Sequence, residues 1–444
     1  MRRLTAIAGI LAATATFAGC AIHPDLLPDR ATSLRMAEER RTLPVEERYR
    51  HQATGDELST GNEVSLLVDG PANFAAMIEA VGHAREQVDV ETYIFEPVGI
   101  GEQLIEALEH KARAGVRVNL IYDSIGSLGT RRDVFARLEA IGMRLCEFNP
   151  LNPLRAEAWS LNHRDHRKML VVDGHTAFTG GLNISGVYSS SSSPSAGERR
   201  RHEGEEEQPG DGPPWRDSGV KLRGPAVAHL QQLFAQTWAS QGCGDYTPLA
   251  ERDPLPAEPD AVRREVRIVA SGPKSNRASN YAVLRSAIVL ATERIWLTTA
   301  YFAPGDGLVE DLRDAARRGV DVRLLLPGPT DAALLRWVAQ ARYAELIDGG
   351  VRVFERQDAL LHAKTAVIDG YWLSVGTANL DYRSFVHNDE LSVIVIDRDL
   401  GREMEELFES DLESSVEVTA ADAAARSALD RLKGWFARLW EYWL

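Results

Sequence analysis

Three segments of this 444-residue chain occur twice, at nearly constant spacing. ARAGVRV at residues 112–118 returns as ARRGVDV at 316–322, an offset of 204. ETYIFEP ending at Pro97 is echoed by TTAYFAP ending at Pro304, an offset of 207, and HRKMLVVDG from His166 returns as HAKTAVIDG from His362, an offset of 196. A chain written this way consists of two copies of one unit of about 200 residues. Two copies are too few to stack as a solenoid, so the expected form is two similar lobes packed face to face about a pseudo-twofold axis. Within a copy, an apolar strand (88–95), an amphipathic helix (105–114) and another strand (116–122) alternate as in an α/β unit. The boundary between two such lobes is a natural place for a site built from equivalent residues.

Each copy carries the same four polar residues at the same spacing: His166, Lys168, Asp173 and Asn183 in the first, His362, Lys364, Asp369 and Asn379 in the second. Lysine is scarce here, six among 50 basic residues. With 11 histidines, a His-x-Lys pair is expected only about 0.15 times by chance, so two with matching downstream residues are a signal. On a strand, residues two apart share a face, so each imidazole projects beside its lysine ammonium. Asp173-Gly174 and Asp369-Gly370 are hairpin turn signals. Folding about them returns Gly180 and Gly181 beside His166, and Gly376 and Thr377 beside His362. Small residues there let an anionic substrate approach the backbone, and the amides of Asn183 and Asn379 donate to it. Asp173 and Asp369, in the turns, read as structural members of the motif.

This set fits displacement at phosphorus. One neutral imidazole attacks, a second protonates the departing oxygen, and two lysines with two asparagines hold the non-bridging oxygens. Each histidine needs an acceptor on its other ring nitrogen. Within copies, the candidates are Glu390, 28 residues after His362, and Asp217, 51 residues after His166. No metal or cofactor is required: His163, Asp165 and His166 lie close in sequence but lack a cysteine or carboxylate cluster, and lysine is not a normal metal ligand.

The flanking segments divide the chain further. Met1-Arg2-Arg3, an apolar run and Phe17-Ala18-Gly19-Cys20 read as a signal peptide over 1–19 resembling a lipobox, with Cys20 the lipid-modified residue of an extracytoplasmic protein. An extension covers 20–60, the first lobe 61–247 with its motif at 160–187, a proline-rich linker 248–260, and the second lobe 261–430 with its motif at 356–383. Residues 189–214 form a polar insertion with almost nothing to bury, expected to be disordered. Three cysteines cannot make a disulfide framework, and nothing in the sequence says that Cys146 and Cys243 pair. Over 431–444, Leu432, Trp435, Phe436, Leu439, Trp440, Trp443 and Leu444 fall on one helical face. That face suits either a membrane interface or docking on the protein's own core. The net charge of −15 denies the chain the broad positive field used to bind nucleic acid, so no nucleic-acid partner is expected.

The paired segments resemble the HxKxxxxD motifs of the phospholipase D superfamily. More narrowly, NHRDHRKMLVVDGHTAFTGGLN (162–183), WRDSGVKLRGPAV (215–227) and LLHAKTAVIDGYWLSVGTANLDYRSFVHNDE (360–390) resemble bacterial cardiolipin synthases. The resemblance covers roughly 61–412. It implies two mixed sheets flanked by helices sharing one site, and a phosphatidyl transfer through a phosphohistidine. His166 is then the nucleophile, His362 the acid/base, and phosphatidylglycerol the usual acceptor at a membrane surface. Ala300-Tyr301-Phe302 stands where the family usually has Pro-Tyr-Phe. Hydrolysis to phosphatidic acid is the nearest alternative, followed by a nucleic-acid phosphodiesterase and a lipid-binding envelope protein with a decayed site. Both motifs are intact, against the last.

Overall fold

The structure is a computed structural model that describes residues 34, 37–50, 58–151, 162–192, 213–249, 262–273 and 279–444. The signal peptide, Cys20, and most of the extension, the insertion and the linker lie outside the described residues.

The first half supplies β1 (Ser59–Val68), β2 (Gln87–Thr92), β3 (Arg117–Asp123), β4 (Arg144–Phe148), β5 (Arg164–Asp165), β6 (Met169–Val172), β7 (Thr176–Gly180), β8 (Trp215–Arg216) and β9 (Ser218–Arg223). The second supplies β10 (Arg264–Ser271), β11 (Arg294–Thr298), β12 (Phe302–Ala303), β13 (Asp321–Pro327), β14 (Arg352–Arg356), β15 (Leu360–Leu361), β16 (Thr365–Ile368), β17 (Trp372–Gly376), β18 (Leu380–Asp381), β19 (Asn388–Ile396) and β20 (Ser415–Val418). The strand order β1-β9-β7-β6-β2-β3-β4 is repeated as β10-β19-β17-β16-β11-β13-β14, with β20 added at the far edge. The duplication seen in sequence is thus a duplication of topology.

The resemblance implied two sheets. They meet edge to edge, because β1 pairs antiparallel with β10 at Ser59↔Val266 and Asn62↔Arg264, giving one continuous mixed sheet. Pairing hides two edges that would otherwise present open backbone groups. The halves also fold over a shared core, in which Val171, Val220, Phe234 and Trp238 meet Val266, Val367, Val393 and Phe408. Two helices lie in this shared layer, Ala226–Ser240 and Arg398–Glu413. β2 is buried at all six positions, as a strand covered on both faces must be.

Asp173 and Gly174 (φ 50° and 68°), like Asp369 and Gly370 (φ 52° and 61°), take the left-handed conformations that a tight hairpin between β6 and β7, or β16 and β17, demands. The aspartates also act as fasteners. Asp173 accepts the backbone N–H groups of Arg85, Glu86 and Gln87 at 2.8–2.9 Å. Asp369 accepts those of Thr292, Glu293 and Arg294, together with the Arg48 guanidinium and the Tyr49 hydroxyl, both at 2.8 Å. Each aspartate therefore ties its turn to the start of the neighbouring strand and stays away from the substrate cavity described below.

One open question is answered and one expected boundary changes. Cys146 on β4 and Cys243 are joined in a disulfide, their Cα atoms 5.6 Å apart; at a sequence separation of 97, nothing in the sequence signalled the pairing. The closing helix begins at Ala428 rather than 431, runs to Arg438, and is followed by a 3-10 turn at Glu441–Trp443. Its buried residues are Gly434 and Ala437, while Leu432, Trp435, Phe436, Leu439, Trp440 and Trp443 are exposed.

Candidate active site

Two short ribbons between the halves build the site. β5 pairs in parallel with the first residues of β19 (Arg164↔Asn388, Asp165↔Asp389), and β8 pairs in parallel with β15 (Trp215↔Leu360, Arg216↔Leu361). The next residue along each ribbon is the functional one. The His166 N–H donates to the Asp389 carbonyl at 2.9 Å, placing His166 beside Glu390, and the His362 N–H donates to Arg216 at 2.8 Å, placing His362 beside Asp217. Nδ1 of His166 lies 2.9 Å from Glu390 Oε1, and Nδ1 of His362 lies 2.7 Å from Asp217 Oδ2. The expected pairing within each copy is therefore wrong: each carboxylate orients the other half's histidine. With each Nδ1–H donated to a carboxylate, both Nε2 atoms are left for chemistry.

The two histidines have unequal surroundings. Burial, followed by the Lys168 and Lys364 ammoniums, holds His166 well below the ordinary imidazole range. Burial and Lys364 also lower His362, but the Asp217 carboxylate and its hydrogen bond oppose them. His166 is the more firmly neutral ring, and His362 the one better supported as an imidazolium. Burial raises Glu390 to about 7, against the pull of Lys168 and the Thr377 hydroxyl that donates to it.

His166–Lys168 and His362–Lys364 sit just before β6 and β16 rather than on them, yet the alternation survives. Arg167 points the opposite way, to Thr237 Oγ1 at 3.1 Å and towards the Glu390 carbonyl at 3.4 Å. Each lysine hooks back to its own histidine's carbonyl, Lys168 Nζ to His166 O at 2.6 Å and Lys364 Nζ to His362 O. Burial lowers Lys168 to about 7 and Lys364 to about 8. An anionic diester beside them would restore both charges.

Asn183 and Asn379 both line the cavity that holds the histidines. Asn183 Oδ1 accepts the Ile94 N–H at 3.1 Å, which leaves its amide N–H groups as the donor end. The small residues serve a different purpose from the one expected. A Cβ on Gly181 would lie 2.2 Å from Asp217 Oδ1, one on Gly180 2.4 Å from the Ser218 carbonyl, and one on Gly376 2.3 Å from the Leu391 carbonyl. They make room for the orienting carboxylate and the adjacent strands, and Thr377 holds Glu390, because the partner backbone already occupies the space assigned to substrate.

The cavity, about 430 Å³, is lined from both halves. Sequence reasoning missed several of its residues. Tyr93 packs edge-on to His166 at 5.3 Å, Trp215 lies 5.2 Å from the His362 ring, and the Tyr188 hydroxyl is 3.3 Å from His362 Nδ1. Arg383 lines the cavity and makes no ion pair among the described residues. It sits on a π-helical turn, Arg383–His387, a conformation common at functional sites. The only advance signal for Arg383 was its place inside the quoted segment 360–390.

Residues 77–191 and 284–412 match the family model described as Cardiolipin synthase, PLD-like domain. Cardiolipin synthase A of Pseudomonas aeruginosa strain LESB58 is 36% identical over 379 residues, 85% of this chain and 72% of that protein. Cardiolipin synthase 1 of Bacillus anthracis is 32% identical over 382 residues, 84% of this chain and 71% of that protein. The crystal structure of phosphatidylserine synthase from Haemophilus influenzae Rd KW20 shares the fold, with a TM-score of 0.62 over 93% of this chain and 100% of that one at 14% identity. With matches spanning both copies of the duplicated unit, the chain belongs to the cardiolipin synthase type of phospholipase D-like proteins, an enzyme of the phosphatidyltransferase class.

Proposed function

We propose that the enzyme moves a phosphatidyl group from one phospholipid to the hydroxyl of phosphatidylglycerol through a phosphohistidine. His166 Nε2 attacks phosphorus, the P–O bond to the leaving alcohol breaks, and His362 gives that oxygen its proton. His362 then takes the proton of the acceptor hydroxyl as its oxygen displaces His166 from phosphorus. Lys168, Lys364 and the amides of Asn183 and Asn379 hold the non-bridging oxygens. The observation that carries this reading is the pair of histidines in one cavity, each backed by a carboxylate from the opposite half. The order of roles follows from their surroundings, since burial and the two lysine ammoniums hold His166 neutral while the Asp217 carboxylate favours a proton on His362.

Transfer is favoured over hydrolysis by Arg383. The donor's phosphate is met by the two lysines, and an acceptor lipid brings a second phosphate that the Arg383 guanidinium, which has no ion pair among the described residues, suits. The work is done at a membrane surface outside the cytoplasm, with Cys20 as the lipid anchor; the Cys146–Cys243 disulfide supports an oxidising compartment. Incubating the protein with labelled phosphatidylglycerol and resolving the lipids tests the proposal. Cardiolipin with released glycerol is the expected result, and phosphatidic acid alone would replace transfer by hydrolysis.

A further inference from the structure

The helix Ala428–Arg438 is amphipathic in the inverse sense of a core-docked helix. It meets Ala333–Asp348 through its smallest residues: a Cβ on Gly434 would lie 3.0 Å from Ala341 Cβ, and Ala437 is fully buried in a small cluster with Val338 and Ala303. Its large residues turn outward. Leu429 and Trp435 are each 61% exposed, and Leu432, Phe436 and Leu439 are more than half exposed. Soluble surfaces seldom carry so continuous an apolar stripe without a partner. The helix also holds three basic residues, Arg431, Lys433 and Arg438, against the single acid Asp430; Lys433 pairs with Asp430 at 3.4 Å and Arg438 with Asp306 and Glu441 at 3.6 and 3.8 Å. Tryptophan, phenylalanine and leucine outward with arginine and lysine alongside is the composition of a helix lying in a lipid interface.

This stripe is joined to the substrate cavity. The segment after the helix returns to the π-helical turn: the Arg383 N–H donates to the Leu444 carbonyl at 2.9 Å, His387 Nε2 lies 3.1 Å from the Tyr442 carbonyl, and the His387 ring stacks on Trp443 at 5.7 Å with 4° between planes. Leu444 itself lines the cavity. On the first half's side, exposed Val187 lines the same cavity and exposed Val98 packs on Gly186. Buried pairs set the helix's orientation, with Glu441 3.0 Å from Arg342.

We propose that the outward face of Ala428–Arg438, with Trp440 and Trp443, is the bilayer-docking surface of this enzyme, and that it seats the cavity mouth against lipid headgroups. The inference rests on the reading that the substrates are membrane phospholipids, which stay in the bilayer and must be met at its surface. An anionic bilayer is the occupant that both the apolar stripe and its basic flank fit.

The test uses the full chain carrying Cys20→Ser, so that no acyl anchor masks the effect, with and without the triple substitution Trp435→Gln, Phe436→Gln, Leu439→Gln. These positions are exposed, so thermal unfolding should be unchanged. Sedimentation with vesicles of equal parts phosphatidylglycerol and phosphatidylcholine should show binding weakened about tenfold or more. Turnover of vesicle lipid should fall in step, while turnover of monomeric dihexanoyl-phosphatidylglycerol stays at the parent rate. Equal vesicle binding by the triple variant would overturn the proposal. So would a parent dimer that the substitutions convert to monomer with vesicle binding intact, since the face would then belong to a second copy. Sedimentation reads docking without turnover, so a parent protein that turns over neither lipid would refute the lipid-transfer reading and leave the docking result standing.

Discussion

Replacing Asp217 by Asn changes the charge behind His362 and almost nothing else, since the two side chains have the same shape. Asp217 is fully buried, its Oδ2 lies 2.7 Å from His362 Nδ1, and its Oδ1 accepts the Ser218 N–H at 2.8 Å. A hydrogen bond to a buried charged group contributes about 1.5–3 kcal/mol, so the imidazolium of His362 should lose roughly 10- to 150-fold of its support. A second loss adds to this: an amide N–H directed at Nδ1 would force the ring proton onto Nε2, the wrong tautomer for accepting the incoming hydroxyl's proton. Together they predict a fall in kcat of about 10² to 10⁴, the usual worth of positioned acid–base catalysis. KM should change little, because Asp217 is shielded from substrate by the ring it orients. In kcat, where the bound diester keeps Lys168 and Lys364 charged, the limb set by loss of the His362 proton should move to lower pH, since the carboxylate is what holds that proton against burial and Lys364. Phosphatidyl transfer followed across pH, with thermal unfolding as a check on folding, measures all three. A folded Asp217→Asn enzyme with kcat within threefold of wild type would refute the cross-half pairing as a functional feature.

Three other outcomes follow from the same geometry. Turnover should fall as pH drops through about 7, where Glu390 takes up a proton and stops serving His166 as an anion; kcat/KM should also fall above about 7 to 8 as Lys168 and Lys364 lose theirs. Glu390→Gln should remove the acid limb, and an unchanged limb would assign it to another group. Gly181→Ala should lower activity about a hundredfold by displacing Asp217 by on the order of 1 Å, whereas Gly82→Ala, with nothing within 4 Å, should leave it unaltered; equal activities would contradict the packing account. Arg383→Gln should shift products from cardiolipin towards phosphatidic acid at a constant rate of donor consumption, and an unaltered product ratio would remove Arg383 from the acceptor site.

The duplication and the two Asp-Gly turns were legible because each leaves a pattern of its own, a repeat in one case and a left-handed turn chemistry in the other. The carboxylate exchange was not. Spacing located Glu390 and Asp217, but their assignment depends on β5, β8 and β15, two-residue ribbons too short to show any periodicity. Sequence took Gly181 and Gly376 as clearance for substrate, because it shows that space is needed and not what fills it. Helical periodicity found the apolar stripe over 431–444. Which side faces the protein was decided by the fit of Gly434 against Ala341, a contact between residues 93 positions apart. Tyr188, Trp215 and Arg383 are single residues outside the repeated pattern, and only folding brings them to the histidines.

The central claim is that one cavity, with a histidine from each half, carries the phosphatidyl group on His166. Rapid quench with ³²P-phosphatidylglycerol under alkaline conditions, followed by proteolysis and mass analysis, tests it most directly. The account predicts label on the peptide containing His166, formed in the first turnover and discharged when unlabelled phosphatidylglycerol is added. Cardiolipin production with no label on that peptide, or with label held on His362 alone, would contradict it.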